Sequence, residues 1–209
     1  MKVKICGVTT VADALMCAEA GADLIGLNFY RQGKRYVSPE AAREIAAALR
    51  ALPRPPALVG VFVNETAAFM AAVLDECGLD FAQLSGDEPE AVLAAMGARG
   101  FKGLRHLTHA SRFTNHASPP NRPDILLDAH VPGEYGGTGR TADWGAATEA
   151  ARQWRVLLAG GLTPVNVAEA VRQVMPWGVD VASGVEHSPR TKDAAKVRLF
   201  IQAAHARHE

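Results

Sequence analysis

Three kinds of residue in this chain could do chemistry, and each either ends an apolar run or sits in a glycine-rich turn. Cys6 closes Val3-Lys4-Ile5-Cys6 and is followed by Gly7, which permits a sharp turn and leaves a thiol approachable. Alternation along an extended strand puts Lys4 on the same face, and an ammonium beside a thiol favours the thiolate, a usable base or nucleophile. A buried structural cysteine is the plain alternative, and that reading is kept for Cys17 and Cys77, which fall within helical stretches. Asp128 follows Ile125-Leu126-Leu127, where a carboxyl is costly unless paired or protonated. Desolvation there favours the protonated form that a general acid needs. Capping a helix or holding a loop salt bridge are its ordinary alternatives. Asp180, between Val179 and Val181, is a second interior acid, placed either to pair with Lys4 across the fold or to orient a group at its own strand end.

The third kind is the backbone donor. Gly136-Gly137-Thr138-Gly139, Gly160-Gly161 and Ser183-Gly184 can bring amides close to an anion, although singly such clusters more often mark turns. Arg35 could clamp a carboxylate with two parallel hydrogen bonds, or stand as a solvated surface arginine. Of seven histidines, His106, His109, His116 and His130 lie in one half of the chain, but their spacing matches no zinc pattern. Asn64-Glu65-Thr66 is a glycosylation sequon without meaning in the absence of a secretory context.

What must position these residues is a series of short buried runs: Val3–Cys6, Leu24–Phe29, Leu58–Val63, Phe81–Leu84, Gly103–Leu107, Ile125–Asp128, Val156–Ala159 and Val179–Ala182. They are continuously apolar, as strands covered on both faces should be. Helical stretches lie between them. Thr10 can cap a run ending at Gly21, and Ser38-Pro39-Glu40 opens one to Leu49. Asn64 opens a run closed by Gly78, Thr163-Pro164 opens one to Val174, and a last helix runs from about Lys192 to His208. Between Ala110 and Pro123 the pattern breaks down and the fifth helix is short or irregular. Eight alternating units predict one (β/α)8, or TIM, barrel domain over residues 1–209, with chemistry at the C-terminal strand ends. The rival is an open doubly wound sheet, which would favour its glycine-rich loop after the first strand. Here the glycines follow strands seven and eight, where barrels commonly hold a phosphate.

Composition narrows the function from the other side. The chain has 209 residues with 22 basic and 22 acidic side chains. That balance argues against a nucleic-acid or anionic-membrane partner, since both call for a basic field. No apolar run reaches membrane-spanning length, and Met1-Lys2-Val3-Lys4-Ile5-Cys6 has no apolar segment of the signal-peptide kind behind its charges. Three cysteines form neither a disulfide framework nor a Cys-x-x-Cys metal site. A reduced, cytoplasmic protein is expected.

Taken together, these residues resemble the phosphoribosylanthranilate isomerase family of tryptophan biosynthesis. The resemblance runs through Lys4-Ile5-Cys6-Gly7-Val8-Thr9, Gly21-Ala22-Asp23 leading to Phe29-Tyr30, Arg35-Tyr36-Val37-Ser38, and Gly60-Val61-Phe62-Val63-Asn64. It continues through Gln83-Leu84-Ser85-Gly86-Asp87-Glu88, Leu126-Leu127-Asp128, Tyr135-Gly136-Gly137-Thr138-Gly139, Leu158-Ala159-Gly160-Gly161-Leu162 and Gly178-Val179-Asp180-Val181-Ala182-Ser183-Gly184-Val185-Glu186. It implies a cofactor-independent, metal-free Amadori rearrangement of N-(5-phosphoribosyl)anthranilate to 1-(o-carboxyphenylamino)-1-deoxyribulose 5-phosphate. On this pattern Asp128 is the general acid at the furanose ring oxygen and Cys6 the general base at C2′. Arg35 binds the anthranilate carboxylate, Gly160, Gly161, Ser183 and Gly184 hold the phosphate, and Asp180 belongs to the substrate site. The partner implied is a phosphorylated small molecule, handled by a monomer or homodimer. Two departures stand out: Ser85 occupies a place where the family usually has His, and Arg31-Gln32-Gly33-Lys34 precedes Arg35 where Ser-Pro is common.

Two other readings compete. One is a related barrel isomerase or epimerase on another sugar phosphate. An aminoaldose isomerase usually ends strand one in Asp rather than Cys6, and the epimerases need a His/Asp metal set that these strand ends do not offer. The other is a non-catalytic phosphate-binding barrel serving as a partner module, favoured only by Ser85.

Overall fold

The computed structural model describes residues 1–105, 119–128 and 144–206. The barrel strands are β1 (Lys2–Cys6), β2 (Leu24–Asn28), β3 (Ala57–Phe62), β4 (Phe81–Leu84), β5 (Gly100–Leu104), β6 (Ile125–Asp128), β7 (Val156–Ala159) and β8 (Gly178–Val181). They close in sequence order, every pairing parallel, with β8 returning to β1. The helices are α1 (Val11–Glu19), α2 (Pro39–Arg50), α3 (Ala67–Cys77), α4 (Glu90–Met96), α5 (Trp144–Ala151), α6 (Val167–Val174) and α7 (Ala194–His205). No helix among the described residues is long and apolar enough to cross a membrane.

Local chemistry starts α1 and α2 where expected, while α3 and strand β5 are shifted and α6 begins at Val167, past Thr163-Pro164. The Oγ atoms of Thr10 and Ser38 accept from the amides of Asp13 and Ala41, at 3.1 and 3.3 Å. The cap of α3 is Thr66 rather than Asn64. Asn64 instead takes a left-handed conformation at φ 56°, which a short amide side chain tolerates better than most. Strand β5 begins three residues before the expected Gly103. Lys102 disguised it, because a lysine inside an apolar run reads as an interruption. Here Lys102 is buried and ion-paired with Glu88.

Two apolar layers result. Outward side chains such as Ile5, Ile25, Leu58, Phe62 and Leu158 pack beneath the helices. Inward ones (Leu24, Val59, Phe81, Phe101, Leu126, Leu157 and Ala159) fill the lumen. The lumen changes character along each strand because alternate residues share a face. One pleat beyond Phe81 comes Gln83, one beyond Leu126 comes Asp128, and one beyond Leu24 comes Gly26. So the apolar plug gives way to polar groups at the C-terminal mouth. After β8, a short 3-10 turn (Ser183–Val185) leads into a hairpin of β9 (Glu186–Ser188) and β10 (Thr191–Lys192). That hairpin is tied to the start of α1 by Thr9 Oγ1 donating to the Arg190 carbonyl and by the Lys192 amide donating to Asp13.

Candidate active site

Cys6 ends β1 half-buried at the mouth. Lys4, one pleat below, is fully buried and donates to Asp180 Oδ1 at 2.9 Å. The partner comes from the adjacent strand rather than from across the barrel, since Lys4 and Asp180 are register neighbours on β1 and β8. Burial works against the Lys4 charge, but Asp180 and Cys6 outweigh it and hold the ammonium above the ordinary lysine value. Gly26, the register partner of Cys6 on β2, makes the room: a Cβ there would lie 2.9 Å from Cys6 Sγ and 3.1 Å from Lys4 Cε.

Arg35 reaches the same place from the loop after β2. Its aliphatic stem lies over Gly7, where a Cβ would come within 2.3 Å of Arg35 Cδ, and Gly7 also needs its left-handed φ of 71° to turn the chain. The guanidinium gives Nε and Nη2 to the two oxygens of Glu186, both at 2.6 Å. Buried Lys192 donates to Glu186 at 3.1 Å and to the Ala182 carbonyl at 3.0 Å. Burial pushes the Glu186 carboxyl up, yet Arg35 and Lys192 more than reverse this and hold it below the usual range. Two of the five guanidinium N–H donors are thereby committed to Glu186.

The two glycine loops meet. Gly160 and Gly161 have φ of 98° and 62°, and Gly184 packs so tightly that a Cβ would fall 2.0 Å from the Leu162 carbonyl oxygen. Ser183-Gly184-Val185 forms a tight 3-10 turn packed against the loop after β7. Backbone amides in glycine turns of this kind suit a phosphate. Gly136-Gly137-Thr138-Gly139, Tyr135 and the histidines at 106, 109, 116 and 130 lie outside the described residues.

Asp128 ends β6 half-buried and lines a cavity of about 170 Å³ together with Gln83, Ser85, Arg105, Ala159 and Asp180. A larger one, about 880 Å³, adjoins it over the ends of β2 to β5 and is bordered by Tyr30, Val61, Asn64, Glu88 and Leu104 among others. Its wall is fixed by Glu88, which accepts from the amides of Asn64 (2.8 Å) and Gly86 (3.0 Å) and pairs with Lys102. Burial raises the Glu88 carboxyl, but Lys102 and the amides prevail and lower it. Cys17 and Cys77 are buried in helices, and burial pushes the Cys17 thiol up to about 12. Among the described residues no group of three or more His, Cys, Asp and Glu is arranged to hold a metal ion.

The mouth therefore gathers Cys6, Asp128, Asp180, Arg35 and the two described glycine loops on one face. Sequence reasoning assigned no role to Glu186, Lys192, Glu88, Gln83 or Gly26. For Gly26 there was a signal, a lone glycine inside an apolar strand. For Glu186 there was not, since its partner Arg35 lies 151 residues away.

Residues 3–203 match the family model described as N-(5'phosphoribosyl)anthranilate (PRA) isomerase. The N-(5'-phosphoribosyl)anthranilate isomerase of Geotalea daltonii is 49% identical over 203 residues, covering 97% of this chain and 96% of that protein. The crystal structure of phosphoribosyl anthranilate isomerase from Thermotoga maritima superposes with a TM-score of 0.83 at 39% identity, covering 98% of each chain. A phosphoribosyl anthranilate isomerase solved in complex with reduced 1-(o-carboxyphenylamino)-1-deoxyribulose 5-phosphate has a TM-score of 0.79 at 36% identity, again over 98% of each chain.

Proposed function

The chain belongs to the N-(5'-phosphoribosyl)anthranilate isomerase family, and we propose that it isomerises phosphoribosylanthranilate with Asp128 as acid and Cys6 as base. What supports this reading is that a thiol and a carboxyl stand at C-terminal strand ends of one barrel, with an arginine packed over the turn after the first strand and two glycine loops following the last two strands. The substrate has a matching layout, with a phosphate at one end, a carboxylate at the other and the reacting carbons between.

The reaction starts with the Asp128 carboxyl donating its proton to the furanose ring oxygen. The C1′–O bond breaks and the nitrogen lone pair forms the C1′=N iminium. The Cys6 thiolate then takes the C2′ proton, and those electrons form the C1′=C2′ bond while the iminium pair returns to nitrogen. The enolamine tautomerises to the ketone. One proton has left Asp128 and one has reached Cys6, so turnover requires both groups to be reset before the next cycle. Lys4 lies beside Cys6 where its positive charge offsets that of a thiolate. Asp180 keeps Lys4 in place. Arg35 takes the anthranilate carboxylate on the edge that Glu186 leaves open, and the amides around Gly160, Gly161, Ser183 and Gly184 take the phosphate. The chain works in the cytoplasm, as a monomer or homodimer, on this phosphorylated small molecule and without a metal or cofactor.

The test is turnover of phosphoribosylanthranilate generated in situ, followed as decay of anthranilate-type fluorescence. Folded protein with no rate above background would overturn the reading in favour of a binding barrel.

A further inference from the structure

Three buried acids stand around the barrel mouth, and among the described residues their cations are unevenly shared. Asp180 pairs with Lys4 and Glu88 with Lys102. Glu186 has two cations, Arg35 and Lys192. Its pairing with Arg35 already occupies both carboxylate oxygens, at 2.6 Å each. Lys192 adds a third contact, Nζ to Oε1 at 3.1 Å, from a side chain with no exposed surface. Burying an ammonium against a carboxylate that is already paired is costly, and an apolar side chain of similar length would avoid that cost. Nor is the ammonium needed to place the strand that carries it. The Lys192 amide donates to Asp13 Oδ2 at 3.1 Å, and the Asp193 amide to the Val185 carbonyl at 2.9 Å.

What the second cation changes is the charge of the cluster. Arg35 and Glu186 alone are a neutral pair, so an anion approaching the guanidinium meets the Glu186 carboxylate with it. With Lys192 the three groups carry one net positive charge. A charge held away from water is weakly screened and acts on an anion bound nearby. We propose that Lys192 is a positioning residue that acts through Glu186, leaving the Arg35 cluster net positive and so favouring ligands that carry a carboxylate. The inference rests on the isomerase reading above and deepens it, since Arg35 is the residue assigned there to the anthranilate carboxylate. Glu186 sets where the guanidinium stands, and Lys192 offsets the negative charge that this anchoring brings. Lys192 also donates to the Ala182 carbonyl at 3.0 Å, beside Ser183 in the loop assigned to the phosphate.

The experiment compares wild type with Lys192→Gln, which keeps a hydrogen-bond donor without the charge, and with Lys192→Met, which keeps neither. Binding is measured by calorimetry for reduced 1-(o-carboxyphenylamino)-1-deoxyribulose 5-phosphate and for the same molecule with hydrogen in place of the carboxylate. Wild type should prefer the carboxylate-bearing ligand, and each variant should narrow that preference about tenfold. Affinity for the decarboxylated ligand should stay within about twofold of wild type. In turnover, KM for phosphoribosylanthranilate should rise about tenfold with a smaller change in kcat. A folded variant that keeps the wild-type preference overturns the proposal. So does one that loses affinity for both ligands alike with a lowered Tm, the signature of a purely structural residue. The backbone contacts of Lys192 and Asp193 remain in both variants, and either one that folds decides the matter. Should wild type itself fail to turn over phosphoribosylanthranilate, the isomerase reading falls; wild-type turnover with an undiminished preference in the variants removes this inference alone.

Discussion

The Arg35 guanidinium is already held by a carboxylate of its own chain: both oxygens of Glu186 accept from it at 2.6 Å. Glu186 follows directly on the Ser183–Val185 turn, so the group proposed to hold the anthranilate end is anchored to the loop proposed to hold the phosphate end. The two ends of the site are thereby linked through one ion pair and the short stretch Ser183–Glu186. Arg35→Met should raise KM by about tenfold or more with a smaller change in kcat, because a uniform binding contact is lost. Glu186→Gln should raise KM in the same sense and lower stability by about 3 kcal/mol, since Arg35 and buried Lys192 lose their shared anion. Steady-state kinetics with denaturant unfolding checks both, and an unchanged KM in Glu186→Gln would break the link.

Gly26 makes room for the proposed base. Its φ is ordinary, so the demand is for space alone, and an added methyl would press on Cys6 Sγ and Lys4 Cε. Gly26→Ala should reduce kcat by about 10- to 100-fold through misplacement of the thiol, at a stability cost of about 1–3 kcal/mol from overpacking. A variant with the predicted loss of stability but full kcat would show that the position of the thiol is not critical.

The pH dependence of stability should have two limbs. Glu88 and Glu186 are held below the usual carboxylate range by their cations. A depressed folded-state pKa contributes stability that is present above the unfolded value, near 4.3, and is lost as pH falls through the folded value. Cys17 acts in the opposite sense. Its thiol is pushed up to about 12, so its contribution is intact below the unfolded value and is lost as pH rises toward about 12. Urea midpoints across pH should fall on both sides, and Cys17→Ala should flatten the alkaline side only.

The barrel was legible because its strands are covered on both faces and therefore read as unbroken apolar runs. Seven of the eight expected strands lie within one residue of the observed ones at each end, and β4, β6 and β7 agree outright with the expected spans. β5 was displaced for a physical reason. Lys102 is neutralised by Glu88 inside the structure, and no local pattern announces that pairing. The site was legible to the extent that chemistry sits at strand ends, which placed Cys6, Asp128 and the glycine loops on one face. Its supporting contacts were not. Arg35 and Glu186 are brought together only by barrel closure, and Asn64 and Glu88 only by the pairing of β3 with β4; contacts between groups far apart in sequence leave no periodic trace.

Ser85 marks the clearest departure from the family pattern. Here its hydroxyl holds Gln83, so the place is filled by a working contact rather than left vacant. Ser85→His should therefore leave kcat/KM no better than wild type, and at most about tenfold worse through loss of that hydrogen bond. A rise of about tenfold or more would show instead that an imidazole is needed there and lacking.

The assignment of the two proton carriers is tested most directly by kcat for phosphoribosylanthranilate made in situ, measured on wild type, Cys6→Ala and Asp128→Asn in parallel. Each variant should fold with a cooperative unfolding transition and lose about 10²-fold or more in kcat. Near wild-type kcat in either one would contradict its assigned role and move that proton transfer to another group in the barrel mouth.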